Sequence, residues 1–235
     1  MKIFAAMKIL LAAATEMETG PLQQLYLNYR DTYYAGLGIS FLTTGIGMLA
    51  TAVRLSAAVQ NSDFDLIIQA GIAGTFDNNL ALCGVYRISE DTVADMGVEE
   101  DHVWKDVFDM QLVKGNEKPF RNGKLYAPVL AASYLEGIPP ATAISVNEIS
   151  TRLERIKQLR KKYNPALESM EGAALHFIGA EYNIPFIQLR AVSNYIGERD
   201  KANWKIKEAI TNLNETLSLL LKKLSLEPMG KSVTS

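Results

Sequence analysis

Residues Asp65 to Gly74 read DLIIQAGIAG. The first part, Asp65–Ala70, is a short apolar run that stops at Gly71, so it reads as a buried strand. Working outward, apolar β-type runs alternate with segments of helical period. On the N-terminal side, Met48–Gln60 spaces Leu49, Val53, Leu55 and Val59 as a helix does. Ser40–Thr43 is a strand candidate, and Lys8–Ala14 reads as a buried first strand. On the C-terminal side, Val85–Ala94 and Ala141–Ser145 are strand-like, and Arg152–Tyr163 is a charged amphipathic helix. Ala166–Tyr182 reads as helix and Pro185–Val192 (PFIQLRAV) as strand. Trp204–Leu224 is a long helix with Leu213, Leu217, Leu220 and Leu224 on its buried side. This order argues an α/β fold with a mainly parallel sheet and helices on both faces. One domain over residues 1–227 is expected, with a disordered tail at 228–235.

Composition excludes several classes. The chain is 48% hydrophobic and 21% charged, which suits neither a disordered chain nor a membrane bundle. With 24 basic and 26 acidic residues the net charge is -2, and no basic face dominates, so nucleic acid is a poor partner. A single cysteine, Cys83, forbids a disulfide within the chain and suits a reducing, cytoplasmic setting. Met1–Thr15 imitates a secretory signal, but Lys8 interrupts it and Ile9–Ala14 is short for the apolar region of one. Met7 is the better strand start, which makes residues 1–6 an extension. No apolar run reaches membrane-span length. His102 and His176 stand at no metal-ligand spacing, so neither a metal nor a cofactor is expected. His176 reads as a core or interface group, and Trp104, Phe108 and Tyr126 as packing residues before pocket walls.

In a doubly wound sheet, ligands bind at the carboxyl ends of strands. Five suggestive segments fall there: Thr15–Glu18 after the first strand, Gly45–Gly47 before a helix, and Gly71–Gly74 after the DLIIQA strand, then Glu168–Gly172 opening a helix and Ser193-Asn194 closing the PFIQLRAV strand. Together they carry what cleavage of a nucleoside N-glycosidic bond requires. Glu18 suits a water-activating carboxylate, Glu171 a ribose anchor, and Asn194 a donor to the departing base. Glu18 equally suits a helix-start acid, and Glu168 and Glu171, three apart, would share a helix face.

The chain resembles the purine nucleoside phosphorylase/nucleosidase superfamily. The likeness runs from about Lys8 to Leu224 and rests on ATEMET (Ala14–Thr19), TTGIGMLATA (Thr43–Ala52), IIQAGIAG (Ile67–Gly74), ESMEGAAL (Glu168–Leu175) and RAVSNYIGERD (Arg190–Asp200). It implies a single-domain, three-layer α/β fold with a central twisted mixed sheet flanked by helices. It implies that Glu18 activates water, that Met170 and Glu171 hold the ribose, and that Asn194 meets the base. Gly71, Ala73, Gly74 and Ser193 would wall the substrate, a small-molecule purine nucleoside, in a homodimer or higher homo-oligomer whose partner walls the sugar's substituent.

Three departures narrow the implied activity. Phosphorylases of the family carry an arginine and a serine where this chain has Gln69 and Ile72, which makes a poor anion site and favours water over phosphate, with Arg54 the remaining phosphate candidate. Adenine-specific members carry aspartate where Asn194 stands, and an amide donor suits a 6-oxopurine such as hypoxanthine. Finally, Ser193–Asp200 followed by Trp204, together with Ala94–Gly97, resembles the futalosine-hydrolysing branch. That branch implies hydrolysis of futalosine to hypoxanthine and dehypoxanthine futalosine in menaquinone biosynthesis. Arg199 would meet the substrate carboxylate, or equally pair with Glu198 or Asp200. An adenine-type nucleosidase acting on methylthioadenosine, S-adenosylhomocysteine or aminofutalosine is the alternative.

Overall fold

The computed structural model describes residues 6–130 and 132–226. Residues 1–5 and the proposed tail lie outside the described residues. In chain order the elements are β1 (Met7–Ala13), α1 (Glu16–Tyr29), β2 (Leu37–Thr43), α2 (Met48–Asn61), β3 (Leu66–Thr75) and β4 (Val85–Val93). A small hairpin, β5 (Gly97–Glu100) and β6 (Val103–Asp106), is followed by β7 (Leu125–Tyr126) and α3 (Ala132–Leu135). Then come β8 (Pro140–Ser145), α4 (Leu153–Tyr163), β9 (Leu167–Ser169), α5 (Gly172–Tyr182), β10 (Phe186–Tyr195) and α6 (Ile206–Leu226).

Alternate side chains of a strand point to opposite faces, and here both faces are covered. Ile9 and Leu11 of β1, with Leu66 and Ile68 of β3, pack under Leu22 of α1 and the leucines of α6. Leu10, Ala12 and Ile67 meet Leu55 of α2 and Leu175 and Ile178 of α5 on the other side. That double burial explains why these strands read as unbroken apolar runs. Among the described residues no helix is long and apolar enough to cross a membrane.

The sheet is mixed, with its long pairings parallel and its antiparallel ones short. β1 runs parallel to β2 and β3, β3 to β10, and β8 to β4 and β9. β10–β4, β3–β9 and β4–β7 are antiparallel. The pairings β3–β10–β4–β8–β9–β3 close a ring, and β1 and β2 extend from it. β3 is long enough to serve both parts: Leu66–Gln69 pair with β1, and Gly74-Thr75 pair with β9 along the same strand.

That hub corrects three sequence expectations. Gly71–Gly74 are not a turn after the strand but its second half. Ser193 and Asn194 do not close β10 but lie inside it, beside a register irregularity between Val192 and Asn194. Ala166–Tyr182 is not one helix: Leu167–Ser169 forms β9, pinned between β8 and β3, and α5 starts only at Gly172. Glu168 and Glu171 therefore share no helix face. The helix α1 went unread because Gly20 and Pro21 interrupt its pattern.

Candidate active site

A cavity of about 310 Å³ opens where α1, β3, β9, β10 and the start of α6 converge. Its wall includes Glu18, Ala73, Gly74, Glu168, Met170, Glu171, Ser193 and Asn194. The size is that of a small-molecule pocket.

Glu18 is placed by its own helix start. Its Oε2 accepts from the Thr15 backbone N–H at 2.9 Å and from the Thr15 hydroxyl at 3.1 Å, the return arm of a capping arrangement. Oε1 turns to β3 and accepts from the Ile72 N–H at 3.2 Å. The carboxylate that caps the helix start thus also lines the cavity. Burial pushes the Glu18 carboxyl above its ordinary range, and nearby Arg190 and the Thr15 and Ile72 amides oppose that rise. Behind it, the Asn214 amide of α6 donates to the Glu18 carbonyl at 2.9 Å and accepts from Leu22 N–H at 2.9 Å. This clasp locks the turn next to Pro21 to the last helix.

Glu171 sits at the N-cap of α5 and is buried. Its Oε1 accepts from the Gly47 N–H at 3.1 Å, and its Oε2 faces Arg190 Nη1 at 3.4 Å. Arg190 Nη2 donates to Gln69 Oε1 at 2.9 Å. Gly71 is the point of closest approach: a Cβ there would lie 2.2 Å from Arg190 Nη1 and 3.0 Å from Glu18 Oε1. The glycine lets guanidinium and carboxylate meet across the strand, while Gly71 itself stands behind the cavity wall.

Sequence reasoning missed Arg190, which is 1% exposed. A signal was present, because an arginine inside the apolar run PFIQLRAV must be paired when buried. Asp91, fully buried within reach of the Arg190 charge, was missed too. Burial pushes its carboxyl up to about 7 against a Ser145 hydrogen bond and the Arg190 charge. His176 is a core group as expected, held neutral by burial, which pulls it down to about 4.

At the opposite end, Asn194 Oδ1 accepts from the Ser193 hydroxyl at 2.9 Å and its Nδ2 donates to the Tyr195 carbonyl at 3.1 Å. An amide nitrogen carries two hydrogens, so one N–H is left for a ligand. Much of the cavity wall is apolar, including Ile72, Ile149, Ile196, Trp204, Ile206 and Ile210. Most of these isoleucines carry no signal in sequence beyond ordinary core residues.

Arg199 is not brought to the cavity. It is exposed on the loop after β10. The flanking acids are used by that loop, since Glu198 accepts from Asp200 N–H and the Asn203 amide, and Asp200 accepts from Ala202 N–H. Among the described residues no cluster of three or more His, Cys, Asp or Glu side chains could hold a metal ion.

The profile of the phosphorylase superfamily matches residues 27–225. Futalosine hydrolase from Streptomyces coelicolor is 30% identical over 190 residues, covering 78% of each chain. Futalosine hydrolase from Thermus thermophilus is 29% identical, covering 79% of this chain and 82% of its own. Among solved structures, futalosine hydrolase of Helicobacter pylori superposes with a TM-score of 0.75 at 13% identity, over 92% of this chain and 97% of the other. A methylthioadenosine/S-adenosylhomocysteine nucleosidase from Colwellia psychrerythraea superposes at 0.76 with 19% identity, over 94% and 97%. These structures share the fold. The chain belongs to the phosphorylase superfamily and, within it, to the futalosine hydrolase family of N-glycosidases.

Proposed function

We propose that the chain hydrolyses the N-glycosidic bond of futalosine, releasing hypoxanthine and dehypoxanthine futalosine for menaquinone biosynthesis. The observation that carries this reading is the pairing in one cavity of a buried carboxylate, Glu18, with a neutral amide donor, Asn194. As the bond from the sugar to the base breaks, its electron pair moves into the purine and the anomeric carbon becomes cationic. Glu18 takes a proton from water as the water oxygen bonds that carbon. Glu171 accepts from the ribose hydroxyls, and Met170 packs on the sugar. Asn194 donates to the purine edge where negative charge collects, with Ser193 holding its amide. Ala73 and Gly74 wall the base, and Gly71 serves from behind by letting Arg190 and Glu18 approach.

The chain acts as a homodimer or larger homo-oligomer in this reading, because Met17 and Ile46 at the cavity mouth are more than half exposed and suit a partner's cover. Incubation with futalosine, aminofutalosine, inosine and methylthioadenosine in phosphate-free buffer tests the assignment. Hypoxanthine should appear from futalosine. Release of adenine alone would assign the adenine-type activity instead.

A further inference from the structure

Glu18 stands where a side chain of another helix enters the hydrogen-bond ladder of its own. In an uninterrupted α-helix the Leu22 N–H would donate to the Glu18 carbonyl, four residues back. In α1 both groups bond to one side chain of α6. Leu22 N–H donates to Asn214 Oδ1 at 2.9 Å, and Asn214 Nδ2 donates to the Glu18 carbonyl at 2.9 Å. The preceding rung is missing, because Pro21 lies inside α1 and has no N–H to give the Met17 carbonyl. The ladder is thus interrupted by a proline and an inserted amide at the turn that carries Glu18.

Docking α1 on α6 does not call for this amide. Leu22 belongs to the same apolar core as Leu213, Leu217 and Leu221 of α6, and the Tyr34 hydroxyl meets the Ser218 hydroxyl at 2.8 Å. What the amide adds is local to Glu18. Asn214 is buried, and its Nδ2 also donates to the Ile210 carbonyl at 2.7 Å, one turn back in α6. Both of its hydrogens are therefore used, which fixes its orientation. Ile206 and Ile210 line the same cavity as Glu18. The Glu18 carboxylate is held by Thr15 and by Ile72 of β3, while its main chain is held by α6.

We infer that Asn214 is a positioning residue for the hydrolysis. By tying the Glu18 carbonyl to α6, it sets how far the Glu18 carboxylate stands from a nucleoside lying against Ile206 and Ile210. The inference rests on the nucleosidase reading above. Asn214 touches no reacting atom and acts through Glu18. A displacement of about 1 Å in a group that activates water costs on the order of a hundredfold in rate.

The test is Asn214→Leu, which keeps the volume and removes the three hydrogen bonds of the amide. The single-turnover rate on futalosine should fall about 10–100-fold. Inhibition by hypoxanthine, which reports on the base end, should stay at the wild-type level. The decisive measurement repeats the substitution in the Glu18→Gln protein. A residue that acts only through Glu18 has no base left to position there, so the further loss should be within about twofold. Equal fold losses in the two backgrounds overturn the inference. So does an unchanged rate in the singly substituted protein, or an equal loss of hypoxanthine affinity. If Asn214→Leu does not fold, Asn214→Ser carries the same comparison, since its hydroxyl can bond back to the Ile210 carbonyl within α6. Failure of the underlying reading looks different, because wild-type protein would then release no hypoxanthine from futalosine.

Discussion

The two ends of the cavity differ in chemistry, and the proposed reaction uses both. At one end Arg190 meets Glu171 and Gln69, and its charge reaches Glu18 and Asp91, so that a single cation faces more than one acid. At the other, Asn194 is held by the Ser193 hydroxyl and the Tyr195 carbonyl among isoleucines. The difference teaches where charge is useful. Excess negative charge suits the end where a sugar cation develops. A fixed, neutral donor suits the end where a base must be identified, because misplaced polar groups in a dry slot are left unpaired.

Glu18→Gln should break the first end most severely. The amide keeps the shape and the Ile72 contact but cannot take a proton from water. We expect kcat to fall by about 10²–10⁴-fold, the usual worth of a general base. Single-turnover kinetics would measure it, together with retained binding of hypoxanthine. Turnover close to wild type would remove Glu18 from the chemistry.

Arg190→Leu separates the ends by stability rather than rate. Taking one partner from a buried ion pair leaves its acids uncompensated and costs about 3–5 kcal/mol. Asn194→Ala, in the neutral slot, should cost only about 1–3 kcal/mol. Urea denaturation of both variants gives the comparison. Equal losses would mean that Arg190 does not balance the acids around it.

How far the sequence foretold these ends depends on how local their causes are. Strands β1 and β3 were legible because two-sided burial writes itself into continuous apolar runs. Glu18, Glu171 and Asn194 were legible through motif resemblance, and the structure lines one cavity with all three. The strand β9 was not legible. It is three residues long, stands in a segment of good helix formers, and exists because β8 and β3 supply its partners. With it went the environment of Glu168. Asp91 and Arg190 were visible as charges inside strands, but they stand 99 positions apart in the chain, and no local pattern encodes that one lies within reach of the other's charge.

The proton inventory at the charged end gives a pH test. Asp91 rises from an ordinary 3.8 to about 7 in the folded chain. Between those values the folded chain keeps a proton that the unfolded chain releases, so this group's stabilising contribution is full below about 4 and is lost as pH rises toward about 7. Asp91→Asn mimics the protonated form and should flatten that part of the curve of melting temperature against pH. An identical slope in both proteins would mean that Asp91 is already ionised in the folded state at low pH.

Asn194→Asp alters the neutral end by a smaller step. A protonated carboxyl can donate to the ring nitrogen of adenine while accepting from its amino group. The preference for futalosine over aminofutalosine expected of the wild type, on the order of tenfold or more, should narrow or reverse. An unchanged ratio of catalytic efficiencies would mean that Asn194 does not face the base.

The smallest effect expected is none at all. Phosphate should neither accelerate the reaction nor appear in its product. An anion needs free, accessible charge-assisted donors, and around Glu18 these are bonded or buried. Arg190 spends Nη1 on Glu171 and Nη2 on Gln69 while its Nε is buried, and the Ile72 N–H goes to Glu18. Gln69, where a phosphorylase carries arginine, is buried and neutral. The remaining candidate, Arg54, donates to the Thr44 carbonyl from α2. At matched ionic strength, replacing a chloride medium with phosphate should leave kcat/KM unchanged, and the sugar product should be the free hydroxyl form. Arg54→Gln should be equally indifferent to phosphate. Detection of a sugar 1-phosphate would show that the charged end can open to an anion, and would return the chain to phosphorolysis despite Gln69 and Ile72.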